Sequence, residues 1–224
     1  MEEYLPRFFE FSALCAVIYL LGFCYRAASR FKTVFKTLSI ASLVVAALLA
    51  GTPLWLPLAL SACALGDYYL SQDGAPEFLK GVGAFSLGHV FYIILFLSDP
   101  LSDMARLGTP SRTAALYLLA VVSLLMLGLL WYSAGKLRRA VAGYLVIITV
   151  MAVASVTLPW QAYYNNVLLG ALFFVLSDLI LSLELFVLPK TGWTRAAAPF
   201  AVWALYWLAQ VLITAGLVLR EVMT

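Results

Sequence analysis

Three ionisable residues stand inside long apolar runs of this sequence: Asp67 in ALGDYYLS, Asp178 in FFVLSDLILSLELF and His89 in FLKGVGAFSLGHVFYIILF. An ionisable group in hydrocarbon costs about 2.5–3.5 kcal/mol even on lenient insertion scales, so such residues mark where a membrane chain does its chemistry. Two carboxyls in a low-dielectric site can divide the roles of proton donor and ionised partner. His89 is the only histidine, so a three-histidine zinc site cannot form within one chain. There is no GxSxG elbow, no HExxH and no glycine-rich phosphate loop. A carboxylate-rich magnesium or zinc site would have only Asp67, Asp178 and His89 to build on. The favoured reading is general acid–base chemistry or a proton-coupled pathway, with no cofactor and no metal. Each residue also has a plainer reading, as an aspartate reaching interfacial water or a histidine bonding a neighbouring helix.

Helical spacing gathers further polar groups around these three. Phe85, His89, Tyr92 and Phe96 follow i, i+4, i+7, i+11 on one face, with Gly81 and Gly88 allowing close approach to a neighbour. Trp203, Tyr206, Trp207, Gln210 and Thr214 form a second stripe, in which Gln210 needs a partner. Tyr144 lies in another apolar run, while Tyr163, Tyr164, Asn165 and Asn166 read as interfacial. Lys36 either snorkels to the surface or faces a cavity, where it would hold a phosphate or an aspartate. Cys15, Cys24 and Cys63 have no CxxC spacing and read as packing residues.

The elements that position these groups follow from composition. Of 224 residues, 64% are hydrophobic and 11% charged, against roughly 25% charged in a typical soluble domain. This excludes a water-soluble globule, a disordered chain and a nucleic-acid-binding domain. It predicts an all-α polytopic integral membrane protein with membrane lipids as its surroundings. Eight candidate spans lie near 8–27, 34–52, 54–72, 78–98, 113–132, 137–158, 161–186 and 197–219, forming one transmembrane domain over 1–224. The acidic start MEEYLPRFFEFS does not read as a removable signal peptide.

The connections after spans one, three, five and seven hold ten Lys and Arg residues against four on the other side, or eight against four without Lys36 and Lys80. The positive-inside bias then places both termini outside the cytoplasm. Aligning Asp67 with Asp178 superposes span three on span seven, each the third helix of a half (1–111 and 112–224). That pattern fits two parallel four-helix repeats, with chance similarity of two apolar helices as the competing reading.

The strings LGDYYL, FLKGVGAFSLGHVFYI, GALFFVLSDLILS and YWLAQVLIT, in this order, resemble the signature blocks of the YhhN-like lysoplasmalogenase family of eight-span membrane proteins. The resemblance runs from about Lys36 to Thr214 and includes Tyr144 and Met151; Thr37 departs from the proline many members carry after the lysine. It implies hydrolysis of the vinyl-ether bond of a lysophospholipid, a lysoplasmalogen, to a fatty aldehyde and a glycerophospho-headgroup. Protonation of the β-carbon of a vinyl ether leaves an oxocarbenium ion that water attacks, which suits one protonated and one ionised carboxyl. On this reading Asp67 and Asp178 are the catalytic pair and His89 positions water or a carboxyl. Tyr92, Tyr144, Tyr206 and Gln210 bond the headgroup or the carboxyls, and Lys36 meets the phosphate. Rival readings are a proton-coupled lipid or small-molecule transporter, a hydrolase of a different lysolipid, and a structural or sensor protein. A bacterial inner membrane is the favoured setting, with a eukaryotic endomembrane as the alternative; the oligomeric state is left open.

Overall fold

A computed structural model describes residues 4–223. Its described residues form eight α-helices and no strand. They are α1 (Leu5–Gly22), α2 (Arg30–Leu49), α3 (Trp55–Leu70), α4 (Ala75–Leu97), α5 (Pro110–Ser133), α6 (Arg138–Ser155), α7 (Ala162–Phe186) and α8 (Trp193–Met223). Short 3-10 turns at Met104–Gly108 and Gly135–Leu137 precede α5 and α6. Seven helices are long and apolar enough to cross a bilayer, and the chain is an integral membrane protein. The exception is α3, whose 16 residues extend about 24 Å against a hydrocarbon core of about 30 Å. Nine of those residues are buried, so α3 is an interior helix whose surroundings are mostly protein.

Local chemistry sets the helix ends. The Ser29 hydroxyl accepts from the Lys32 amide at 3.2 Å and caps α2. Gly74 adopts a φ of +123°, open to glycine and strained for other residues, and Pro76 follows in the first turn of α4.

The helices do not pack in simple chain order. The most extensive packing is α7 on α8 and α3 on α4, followed by α1 on α2 and α2 on α3. Across the halves, α4 packs on α6 and α8 on α2. Helix α5 lies outside this ring, held mainly by α6. Small residues permit the closest pairs. A Cβ on Gly88 would stand 2.7 Å from Cys63 Sγ and 3.2 Å from the Ala59 carbonyl, and one on Gly81 would meet Leu70. On α7, a Cβ at Gly170 would stand 2.8 Å from the carbonyl oxygen of Ala209 on α8. Backbone cannot swing aside as a side chain can. Gly170→Ala is therefore expected to force α7 from α8 and cost roughly 1–3 kcal/mol, read as a lower Tm of the detergent-solubilised protein.

Candidate functional site

A cavity of about 390 Å³ opens among the C-terminal ends of α1, α3 and α7 and the N-terminal parts of α2, α4, α6 and α8. It lies at the end of the bundle carrying the more basic connections, those after α1, α3, α5 and α7. Asp67 and Asp178 both line it, as do Lys36, Tyr144 and Tyr206.

Each aspartate has its own partners, and no direct bond joins the two among the described contacts. Asp67 of α3 accepts from the Tyr206 hydroxyl of α8 at 2.7 Å. Its other oxygen lies 3.2 Å from the Lys36 ammonium of α2. That ammonium also stands 5.9 Å from the ring centres of Tyr19 and Trp203, an aromatic flank that favours a cation. Lys36 thus faces the cavity and an aspartate, and the snorkelling alternative does not apply.

Asp178 of α7 accepts from the Tyr144 hydroxyl of α6 at 2.5 Å. His89 of α4 places Nε2 2.9 Å from the same hydroxyl and 3.4 Å from the Asp178 carboxylate. The single phenolic proton cannot serve both neighbours at once. With Asp178 ionised, Tyr144 donates to it and His89 Nε2–H donates to Tyr144; with Asp178 protonated, the whole chain reverses. The three groups form a short proton wire with Asp178 at its cavity end.

Three residues expected at the site stand elsewhere. His89 is fully buried and outside the cavity lining, so it acts on Asp178 from behind. Tyr92 and Gln210 are also fully buried and outside it. The Tyr92 hydroxyl donates to Gln210 Oε1 at 2.5 Å, tying α4 to α8. Their expected contact with a headgroup is corrected to an internal bond, because helical spacing identifies a buried face without telling which neighbour covers it.

Other lining residues escaped the sequence reading. Glu184 lines the cavity and pairs with Arg195 at 3.7 Å. An acid six residues beyond Asp178 on the same helix could have been singled out. Lys32, one turn outward from Lys36, also lines the cavity. Tyr19 had no signal, being one aromatic in an apolar run. The three cysteines are buried and form no disulfide, as packing residues do, and Cys24 also lines the cavity.

The opposite end of the bundle holds a separate polar cluster. Asp99 after α4 accepts from the Tyr164 hydroxyl at 2.7 Å and from the Leu101 amide at 2.9 Å, and Arg220 pairs with it. Tyr164, in the first turn of α7, is buried at 1% exposure against the loop carrying Asp99. Nearby, Arg106 donates to the Thr157 carbonyl at 2.9 Å and Arg112 to the Leu158 carbonyl at 2.8 Å.

A helical integral membrane protein with two carboxylates in one basic-ended cavity is the class these features define. The chain belongs to the YhhN family, whose model matches residues 31–217. No curated protein and no solved structure matches it.

Proposed function

We propose that the protein is a membrane hydrolase that cleaves the vinyl-ether bond of lysoplasmalogens to a fatty aldehyde and a glycerophospho-headgroup. The observation that carries this reading is the placement of Asp67 and Asp178 on one cavity with unlike partners. Asp67, opposed by the Lys36 ammonium, is the ionised partner that steadies the oxocarbenium ion and orients water. Asp178, at the end of the Tyr144–His89 wire, donates the proton to the β-carbon. Water then adds to the α-carbon, and the hemiacetal collapses to aldehyde and the free glycerol hydroxyl. The added water gives up its proton to Asp67, and water in the cavity carries it back to Asp178, whose carboxyl is held in place by Tyr144 and His89. Lys36, committed to Asp67, leaves the phosphate to Lys32 at the mouth.

The test is aldehyde trapping with purified protein in detergent. Release from a vinyl-ether lysolipid but not from its saturated-ether analogue supports the reading; no release from any vinyl-ether lysolipid refutes it. The same assay separates hydrolysis from transport, which needs compartments. The transport reading is further disfavoured by the Asp99–Tyr164–Arg220 ties at the end away from the cavity.

Two secondary predictions arise here. Tyr144→Phe breaks the wire and is expected to lower kcat while leaving KM nearly unchanged. Tyr92→Phe leaves Gln210 Oε1 without its donor and is expected to cost about 1–3 kcal/mol of stability. Turnover per folded molecule should hold in the Tyr92 variant, since neither Tyr92 nor Gln210 lines the cavity. Thermal unfolding beside the aldehyde assay checks both variants.

We also infer that all eight helices span the membrane and that the chain is an internal duplication of parallel four-helix halves, with the cavity mouth and its basic connections toward the cytoplasm. Exchanging α2, α3, α4 with α6, α7, α8 maps the packing pairs onto one another. It also maps the helices that hold Asp67, α2 and α8, onto those that hold Asp178, α6 and α4.

A further inference from the structure

A second, narrower crevice lies beneath α5. On α5 its lining is Leu119, Val122, Ser123 and Met126, and on α7 it is Val175, Asp178, Leu179 and Ser182. Both sets follow i, i+3, i+4, i+7, so each is one continuous helix face. Helix α6 closes the floor from Val141 to Thr149. Val141, Tyr144, Asp178 and Ser182 line both this crevice and the main cavity, whereas Asp67 lines only the cavity. The two spaces therefore meet at the Tyr144–Asp178 bond.

We propose that this crevice seats the hydrocarbon chain of the lysolipid, admitted sideways from the leaflet as α5 moves outward, with the headgroup in the main cavity. The proposal rests on the hydrolase reading above and assigns its chain-binding part. Away from the junction the lining is apolar apart from Ser123 and Thr149, whose hydroxyls bond each other at 2.9 Å. A chain lying there leaves no polar group unsatisfied. The floor from Val141 to Thr149 extends about 12 Å from the mouth toward the bundle interior. That is the direction a lipid chain takes in the leaflet at the mouth, so the lysolipid enters without being turned over. The first chain carbons, which carry the vinyl ether, then fall beside Asp178.

Helix α5 is suited to move. It joins the bundle through a small apolar cluster of its own, centred on Met126, Leu130 and Val141, separate from the main core. Its outer residues Tyr117, Leu118, Leu124 and Leu125 are exposed. At rest the crevice holds about 30 Å³, roughly one water's share of liquid volume, so a chain enters only when α5 yields.

The experiment uses a saturated-ether lysophospholipid, which resists hydrolysis, with a diazirine in its chain. The purified full-length protein is illuminated with this probe, with and without excess unlabelled lysolipid, and the labelled peptides are mapped. Competable labelling within 119–126 and 145–149 is expected. Labelling confined to the main cavity or the outer helix faces overturns the chain seat while leaving the hydrolase reading intact. Crevice labelling without aldehyde release from any vinyl ether supports the seat and ends the hydrolase reading. Two crevice-filling variants, Ser123→Phe and Ile148→Trp, are expected to lower the long-chain to short-chain ratio of kcat/KM at least tenfold. A ratio unchanged in both variants overturns the proposal.

Discussion

Asp178→Asn is expected to lower aldehyde release from a vinyl-ether lysolipid by roughly 10²–10⁴-fold, the usual contribution of a positioned general acid. The amide keeps the size of the carboxyl and can still accept from Tyr144, which donates to Asp178 at 2.5 Å in the native protein. It has no acidic proton to give to carbon. The loss should therefore fall on kcat, with substrate affinity and thermal unfolding close to those of the native protein. His89 cannot take over, because it is fully buried and has no face on the cavity. An Asp178→Asn variant that unfolds normally and turns over within tenfold of native would remove Asp178 from the proton-donor role.

The second large effect is expected at Asp67. Asp67→Asn leaves the Lys36 ammonium between Tyr19 and Trp203 with no carboxylate opposite it. Lys36 and Asp67 side chains are only 13% and 1% exposed, and breaking a buried pair from one side costs about 3–5 kcal/mol. The variant should lose both stability and turnover. Removing the stranded charge as well, in Asp67→Asn with Lys36→Met, should restore most of the melting temperature and none of the activity. Thermal unfolding and aldehyde trapping on the same preparations separate the two effects. Recovery of turnover in the double variant would show that the ionised carboxylate is dispensable.

Much of this architecture was legible in the apolar runs. All eight helices lie within a few residues of the expected spans, because long apolar runs and Pro- and Gly-bearing breaks declare themselves locally. The buried stripes through His89 and Gln210 were equally plain, since they depend only on helical period. What a stripe faces is another matter. Tyr92 and Tyr206 sit on comparable faces, yet one bonds Gln210 in the packed interior and the other bonds Asp67 on the cavity. That division follows from depth, Gln210 lying one turn further than Tyr206 from the cavity end of α8, and from which neighbour covers each face, for which the sequence has no local signal. The same holds for Tyr164, whose partner Asp99 lies 65 residues away in a loop that only the fold brings to it. Glu184 was missed because its position reads as a helix end, where carboxylates are ordinary.

The central claim is that the enol-ether carbon is protonated and water then adds to its neighbour, so that the carbon–oxygen bond on the chain side breaks. The most direct measurement is hydrolysis of a vinyl-ether lysolipid by purified protein in ¹⁸O-labelled water, with mass spectrometry of the glycerophospho-product. The account predicts release of the aldehyde and a glycerol hydroxyl that retains the original unlabelled oxygen. Labelled oxygen on the glycerol carbon, or no cleavage at all, would contradict it.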